Sequence, residues 1–462
     1  MFIAASEIKA ILTDKRVHRG PNDQMIFDYA ISGTMDHTEQ TFFEGIKNLE
    51  PGHYAVVEDD RIKVERWCKL APRPSRSNYD GSVREARKLF DDSVRLRLRS
   101  DVPVGACLSG GMDSSSMVSA MRRAAGDKAV LQSYSAVFPG HDIDETKNIE
   151  VMTEAAKLGA HRVEPRPKDV VEDLRTLIYH QDEPIRSSSQ LAQWTVMRLA
   201  HSQGMKVLLN GQGGDEVFAG YPYFFGNYYI SLLRRFKFLT LLKEMRAYRR
   251  NHPKGDAVRY MLFHLLPRRL QRRLLIGTMP LDKEFRKRVK SMSPQAERIY
   301  FSRNLQSAQF DHINMKMREL LRYEDKSAMA FSIETRLPFL DHRLVDHAMS
   351  LPEGYRMSKG TTKRVFRDAM RGTVPDEILD DHRKIGFETP ESEWFNDREV
   401  GKFITDILSS KEFKKRGYFD PKRLGRLWTN YTGDDKFVTR AIWRAVCIEL
   451  WFRVFIDPLR NA

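Results

Sequence analysis

Val104-Gly105-Ala106-Cys107-Leu108-Ser109-Gly110-Gly111-Met112-Asp113-Ser114-Ser115 decides how this chain folds. Small and apolar residues run into Ser-Gly-Gly and out into helix-forming sequence, so a strand, a tight turn and a helix N-terminus follow one another. Adjacent glycines let backbone N–H groups face an anion without interference from Cβ, and the helix N-terminus adds partial positive charge. Ser109, Ser114 and Ser115 add hydroxyl donors, which makes the turn a cradle for pyrophosphate. No Gly-Lys-Ser/Thr follows, so the loop is not of the Walker A kind. Cleavage between the α- and β-phosphates is expected rather than γ-phosphoryl transfer.

The pattern around this stretch alternates: a helix over residues 117–125, a strand over 131–138, a helix over 146–158, a longer helix over 188–202 and a strand over 206–209. Such alternation predicts an α/β fold, a parallel doubly wound sheet with helices on both faces. After Tyr221 strand-like runs cease and helical patterns dominate, punctuated by Pro253, Pro267, Pro338, Pro352 and Pro375. Residues 1–70 read as a small β-rich piece. Gly52-His53-Tyr54-Ala55-Val56-Val57 and Arg61-Ile62-Lys63-Val64-Glu65-Arg66-Trp67 form a hairpin about Glu58-Asp59-Asp60. A polar, proline-containing connector over 71–81 separates that piece from a domain over 82–462 that opens with a helix at 82–99.

A second loop, Asn210-Gly211-Gln212-Gly213-Gly214-Asp215-Glu216, also follows a short apolar strand. In a doubly wound sheet ligands lie at the carboxyl ends of the strands, so two such loops face one nucleotide, and Asp113 and Asp215 are the expected Mg²⁺ ligands. Residues 323–341 are dense in charge yet interleaved with apolar residues. Asp325, Glu334 and Arg336 there are second-rank candidates, because such patterns also arise in structural ion-pair networks. His382-Arg383-Lys384-Ile385-Gly386-Phe387 is, on spacing alone, an ordinary basic loop.

Composition excludes several classes. The 462 residues carry 41% hydrophobic content, enough for real cores, and no apolar run approaches the roughly 20 residues of a membrane span. Cys68, Cys107 and Cys447 are too few and too scattered for a disulfide framework or zinc site. With no signal-like N-terminus, a reducing cytoplasm is expected. The net charge of +15 is concentrated: residues 231–277 hold thirteen Lys/Arg against Glu244 and Asp256, a net +11. Leu, Phe and Met recur there at helical spacing. The simplest expectation is therefore amphipathic helices with solvated basic faces, and contact with acidic lipid or another polyanion is the alternative.

In these motifs the chain from about residue 82 to 457 resembles the synthetase domain of class II asparagine synthetases. The matching segments, in order, are residues 109–115, residues 210–216, Ser332-Ile333-Glu334-Thr335-Arg336-Leu337-Pro338-Phe339-Leu340-Asp341, and Lys384. The resemblance implies a PP-loop ATP pyrophosphatase sheet of the adenine nucleotide alpha hydrolase-like kind. It also implies ATP and Mg²⁺ as cofactors, and amidation of aspartate through β-aspartyl-AMP. By the same resemblance Leu108, Ser109, Gly110, Gly111, Asp113 and Ser114 hold the phosphates, and Ala136, Asn210 and Gly211 line the adenosine site. Lys384 and Asp215 act on the phosphates, and Arg186 is the expected partner of the substrate's second carboxylate.

Two departures shape the expectation. Ala5-Ser6-Glu7-Ile8-Lys9-Ala10 and Phe43-Glu44-Gly45-Ile46-Lys47-Asn48-Leu49-Glu50-Pro51-Gly52-His53 look like the closing part of the family's Ntn-type glutaminase domain. Phe2 stands where that domain's nucleophilic cysteine would be. Ammonia is thus the expected nitrogen source, free or from a separate glutaminase subunit. Gln212 occupies a position where better-known members carry glutamate, and an amide orients by hydrogen bonding but takes no proton. That leaves open another carboxylate substrate, on a surface-polysaccharide sugar or a peptide, and a non-catalytic nucleotide-binding remnant. A tRNA-modifying enzyme with the same first loop is disfavoured by the lack of paired cysteines, so no nucleic acid is expected. A homodimer is a further expected form.

Overall fold

The computed structural model describes residues 2–59, 61–253, 255–383, 386–433 and 435–459. Two strands, β1 (His53–Glu58) and β2 (Arg61–Arg66), form the expected antiparallel hairpin in the register His53 opposite Arg66 and Glu58 opposite Arg61. Asp60 of its turn lies outside the described residues. Five more strands, β3 (Val104–Cys107), β4 (Leu131–Ala136), β5 (Leu158–Val163), β6 (Val207–Leu209) and β7 (Glu334–Arg336), make one parallel sheet in the order β5-β4-β3-β6-β7.

The parallel, doubly wound architecture agrees with the sequence pattern, but two strands differ from expectation. β5 lies where the helix over 146–158 was expected to end and the chain was expected to run on without a strand; the helix stops at Ala155. β7 lies in the half where strands were expected to cease. Both are edge strands, and β7 has only three residues, so each lacks the long apolar run that marks a buried central strand.

Successive residues of a strand point to opposite faces, and here they feed two cores. Leu208 joins Tyr134, Leu191, Ala192 and Val196 on one face. Leu209 joins Ala106, Val118, Phe90 and Phe366 on the other. The helices Ser189–Ser202 and Met317–Met329 cover the first face; Tyr79–Arg97, Met112–Ala125 and Arg364–Ala369 cover the second.

The segment ahead of the hairpin is not built of strands. Asn22 caps the helix Asp23–Ser32, its side chain accepting from the Gln24 and Met25 amides at 3.1 and 3.3 Å. That helix and the following residues share the first core with the C-terminal helix Lys436–Trp451, and Phe42 and Phe43 pack edge-on against Trp451. The hairpin itself stands out almost wholly exposed. Among the described residues, no helix is long and apolar enough to cross a membrane.

Candidate active site

The chain winds outward in both directions from β3, so the loops after β3 and β6 are neighbours at a topological switch point. The first is held to the sheet by the Leu108 amide, which donates to Tyr134 O at 3.0 Å. Gly110 turns the chain at φ +80°, and a Cβ there would sit 3.0 Å from the Glu145 carbonyl, so no other residue fits without strain. Ser109 and Ser114 hydroxyls meet at 3.1 Å and brace the turn. Among the described residues, no side chain caps the N-terminus of the helix Met112–Ala125, which leaves its dipole aimed at the cavity.

The second loop leaves β6 with the Asn210 amide tied to Arg336 O at 3.0 Å and opens the short helix Gly214–Phe218, which carries Asp215. Between the two loops stands Lys363, with its Nζ 2.5 Å from Asp113 Oδ2 and 2.6 Å from Asp215 Oδ1. Lys363 adopts φ 52°, a left-handed conformation uncommon for a side chain of this size, at the start of the helix Arg364–Ala369. Gly220 makes room for the trio. A Cβ at that position would lie 2.0 Å from both Asp215 Oδ1 and Lys363 Cε.

A cavity of about 430 Å³ opens beneath these loops. Leu108, Ser109, Gly110, Gly111, Asp113, Ser114, Ala136, Arg186, Asn210, Gly211, Gln212 and Asp215 all line it, so residues up to 107 positions apart in the chain meet in one site. Lys384 lies outside the described residues, while its neighbours Asp381, Arg383 and Phe387 form part of the rim. Asp325, Glu334 and Arg336 do not belong to the cavity lining. Arg336 pairs with Glu334 at 2.6 Å and donates to the Arg97 and Arg99 carbonyls at 2.7 Å, so it closes the sheet edge against the helix Tyr79–Arg97. Asp341 caps the helix His342–Ser350.

The floor sets Arg186 among charged groups that the sequence did not single out. Arg186 reaches Glu319 at 3.4 Å, and its backbone amide donates to the Tyr323 hydroxyl at 3.1 Å. Burial disfavours the Arg186 charge, but Glu319 and the nearby tyrosines more than offset this and hold the guanidinium protonated. Lys316 donates to the Tyr223 hydroxyl at 3.1 Å and lies 4.5 Å over the Tyr221 ring. Burial, reinforced by Arg186, brings the Lys316 ammonium down to about 8. Burial and the adjoining Asp215 raise Glu216, which accepts from the Tyr221 hydroxyl. Glu324 accepts from Asn210 Nδ2 at 2.9 Å and from Gln193, and burial lifts it to about 7. The one local hint of Lys316 is its setting, a lysine flanked by Met315 and Met317.

Among the described residues, no group of three or more His, Cys, Asp or Glu side chains converges as a ready-made metal cage. Two carboxylates converging on one cation nevertheless match Mg²⁺, which takes one or two protein carboxylates and completes its shell with water and phosphate oxygens. The Lys363 ammonium marks where that positive charge is wanted, and Asp113 and Asp215 are the residues that fit the ion.

The chain is similar to known proteins over most of its length. Residues 85–453 match the family model described as asparagine synthase, and residues 1–68 match one described as a glutamine amidotransferase domain. The chain is 27% identical over 444 residues to asparagine synthetase [glutamine-hydrolyzing] 1 of Bacillus subtilis, covering 89% of this chain and 66% of that protein. It is 26% identical over 453 residues to a putative asparagine synthetase [glutamine-hydrolyzing] of Mycobacterium tuberculosis, covering 90% and 65%. It is 24% identical over 438 residues to amidase chyE of Penicillium rubens, covering 82% and 64%. The chain thus spans about two thirds of the length of these curated relatives. With the family model covering most of its length, and the two glycine-rich loops meeting at the switch point of a parallel sheet, the chain belongs to the asparagine synthase family.

Proposed function

We propose that this chain is a carbon–nitrogen ligase that activates a carboxylate as an acyl-adenylate at the expense of ATP and amidates it with ammonia, aspartate being the first candidate substrate. The observation that carries the reading is the convergence of Asp113 and Asp215 on one cation at the carboxyl ends of β3 and β6. On this reading residues 1–70 are the closing part of a glutaminase module, 71–81 a linker and 82–462 the synthetase domain, acting in the cytoplasm.

The 108–114 loop, with its bare helix N-terminus, takes the phosphates, and Ala136, Asn210 and Gly211 face the adenosine. Asp113 and Asp215 would hold Mg²⁺, which would supply Lewis-acid neutralisation of the phosphate charge. Lys363 directs its ammonium to the departing pyrophosphate, and Lys384 adds a second positive charge to it. The substrate carboxylate oxygen attacks the α-phosphorus and pyrophosphate departs. Arg186 holds a second carboxylate of the substrate, aligning the first for attack. Ammonia oriented by Gln212 then attacks the acyl carbon and AMP leaves. The proton shed by the attacking nitrogen passes to Lys316, which at about 8 is partly neutral near physiological pH.

A second reading, amidation of a carboxylate other than aspartate, is favoured by Gln212 in place of the family's glutamate and by the likeness to an amidase. One experiment serves both. ATP–pyrophosphate exchange is measured with a panel of carboxylic acids, aspartate first, and AMP release is then measured on adding ammonium. Exchange that depends on a carboxylate, followed by ammonium-dependent AMP release, is expected. Exchange with another acid but not aspartate moves the assignment to the second reading, and neither signal with any acid removes the ligase reading.

A further inference from the structure

The +11 stretch over residues 231–277 folds into the helices Phe238–Asn251, Ala257–Leu265 and Arg268–Thr278, the first two packed against Phe224–Arg234. The expectation of basic faces in water over apolar faces in the core is only half met. Leu241, Tyr248 and Ala257 are buried, but Phe236 is 78% exposed and Leu239 77%, and Phe238, Leu242, Leu262 and Leu274 are about half exposed. Soluble surfaces scatter single apolar residues; this one concentrates them in one basic segment.

The corner before Phe238–Asn251 is built, not loose. Phe236 sits at φ 55°, its amide donates to Leu233 O at 3.0 Å, and the Lys237 amide donates to Leu232 O at 3.0 Å. Its ring stacks edge-on to Phe238 with centroids 6.1 Å apart, so two aromatic rings are offered to solvent between Arg234, Arg235 and Lys237. Leu239, Leu242, Lys243, Arg246, Arg249 and Arg250 follow at steps of three and one, which aligns them along a single outward helix face. On Arg268–Thr278, Leu270 and Leu274 stay exposed one turn apart, next to the exposed Arg269 and Arg273.

From this juxtaposition we propose that residues 234–250 dock the enzyme on an anionic lipid bilayer, with Phe236, Phe238 and Leu239 entering the headgroup–acyl boundary and the flanking Arg and Lys side chains pairing with lipid phosphates. Charge complementarity selects the anionic surface, and apolar side chains project together with the charges, which is the pattern of interfacial helices. A nucleic acid would use the arginines but would leave Leu239 and Leu242 as exposed as they are now. With no membrane-crossing helix among the described residues, the contact is peripheral and salt-sensitive.

The test is co-sedimentation of the full chain with vesicles of phosphatidylcholine alone or mixed with phosphatidylglycerol, across a salt series, with a single-stranded RNA as competitor. Binding to the anionic vesicles only, weakening as salt rises, is expected. The pair Phe236→Ser and Leu239→Ser should lower it roughly 30-fold or more, and Arg249→Ser with Arg250→Ser by roughly 30-fold. Neither pair touches the cavity, so carboxylate-dependent pyrophosphate exchange stays unchanged and verifies folding. Absence of vesicle binding overturns the proposal. So does binding that the Phe236/Leu239 pair leaves intact, and so does RNA binding that excess anionic vesicles do not displace.

Discussion

Replacing Lys363 by Met removes the cation between Asp113 and Asp215 while keeping most of the side-chain volume. Two charge-assisted contacts, at 2.5 and 2.6 Å, are lost from a site where the lysine side chain is 6% exposed. Such bonds contribute about 1.5–3 kcal/mol each, and removing one partner of a buried ion pair destabilises by about 3–5 kcal/mol. The carboxylates are themselves 15% and 12% exposed and so partly solvated, the lower end applies, and a loss of about 3 kcal/mol is expected from the metal-free protein. On the proposed reading Mg²⁺ takes the same place, so Mg²⁺ alone should stabilise Lys363→Met more than the wild type, in which the ion would first have to displace the ammonium. Urea unfolding of both proteins, with and without Mg²⁺, reads both effects. A loss below about 1 kcal/mol, or an equal Mg²⁺ shift in the two proteins, would refute the shared-site argument. Pyrophosphate exchange in the variant should fall by roughly 100-fold if Lys363 also meets the departing pyrophosphate.

Three more outcomes follow from the same site. Gly220→Ala sets a methyl 2.0 Å from Asp215 Oδ1 and Lys363 Cε, so pyrophosphate exchange should drop roughly 100-fold while circular dichroism stays native. With Lys316 at about 8, amide formation measured at constant free ammonia should climb as pH rises through 8 while pyrophosphate exchange does not. Lys316→Met should abolish that limb, and an unchanged profile would exclude Lys316 as the proton acceptor. Glu324, lifted from 4.5 to about 7, keeps its proton in the folded state where the unfolded chain has lost it. Wild-type stability should therefore fall between pH 4.5 and 7 relative to Glu324→Gln, by about 3 kcal/mol in all, and parallel urea curves at the two pH values would contradict this.

Both glycine-rich loops could be read in the sequence because each compresses its signal into seven residues. A strand end, adjacent glycines and a carboxylate set local backbone geometry without help from elsewhere. The parallel sheet followed from the same local alternation. The edge strands β5 and β7 escaped it because partial burial and three-residue length leave no period to detect. The charged run over 323–341 was ambiguous for a related reason: composition does not say which charges face a cavity. The fold sends Glu324 inward against Asn210 and gives Glu334 and Arg336 to each other at the sheet edge.

Residues 108–115 and 210–216 thus determined by themselves two glycine-rich turns at strand ends and the carboxylates Asp113 and Asp215 that those turns bring to the cavity. Only the tertiary structure decided what faces them. Lys363 reaches Asp113 from 250 positions away, Glu319 meets Arg186 at 3.4 Å, and Lys316 joins them on the cavity floor with only its flanking methionines as a local mark. The physical reason is range. Backbone turns are short-range steric events written in consecutive residues, whereas the field in a cavity sums charges that packing brings within a few ångströms regardless of their distance along the chain.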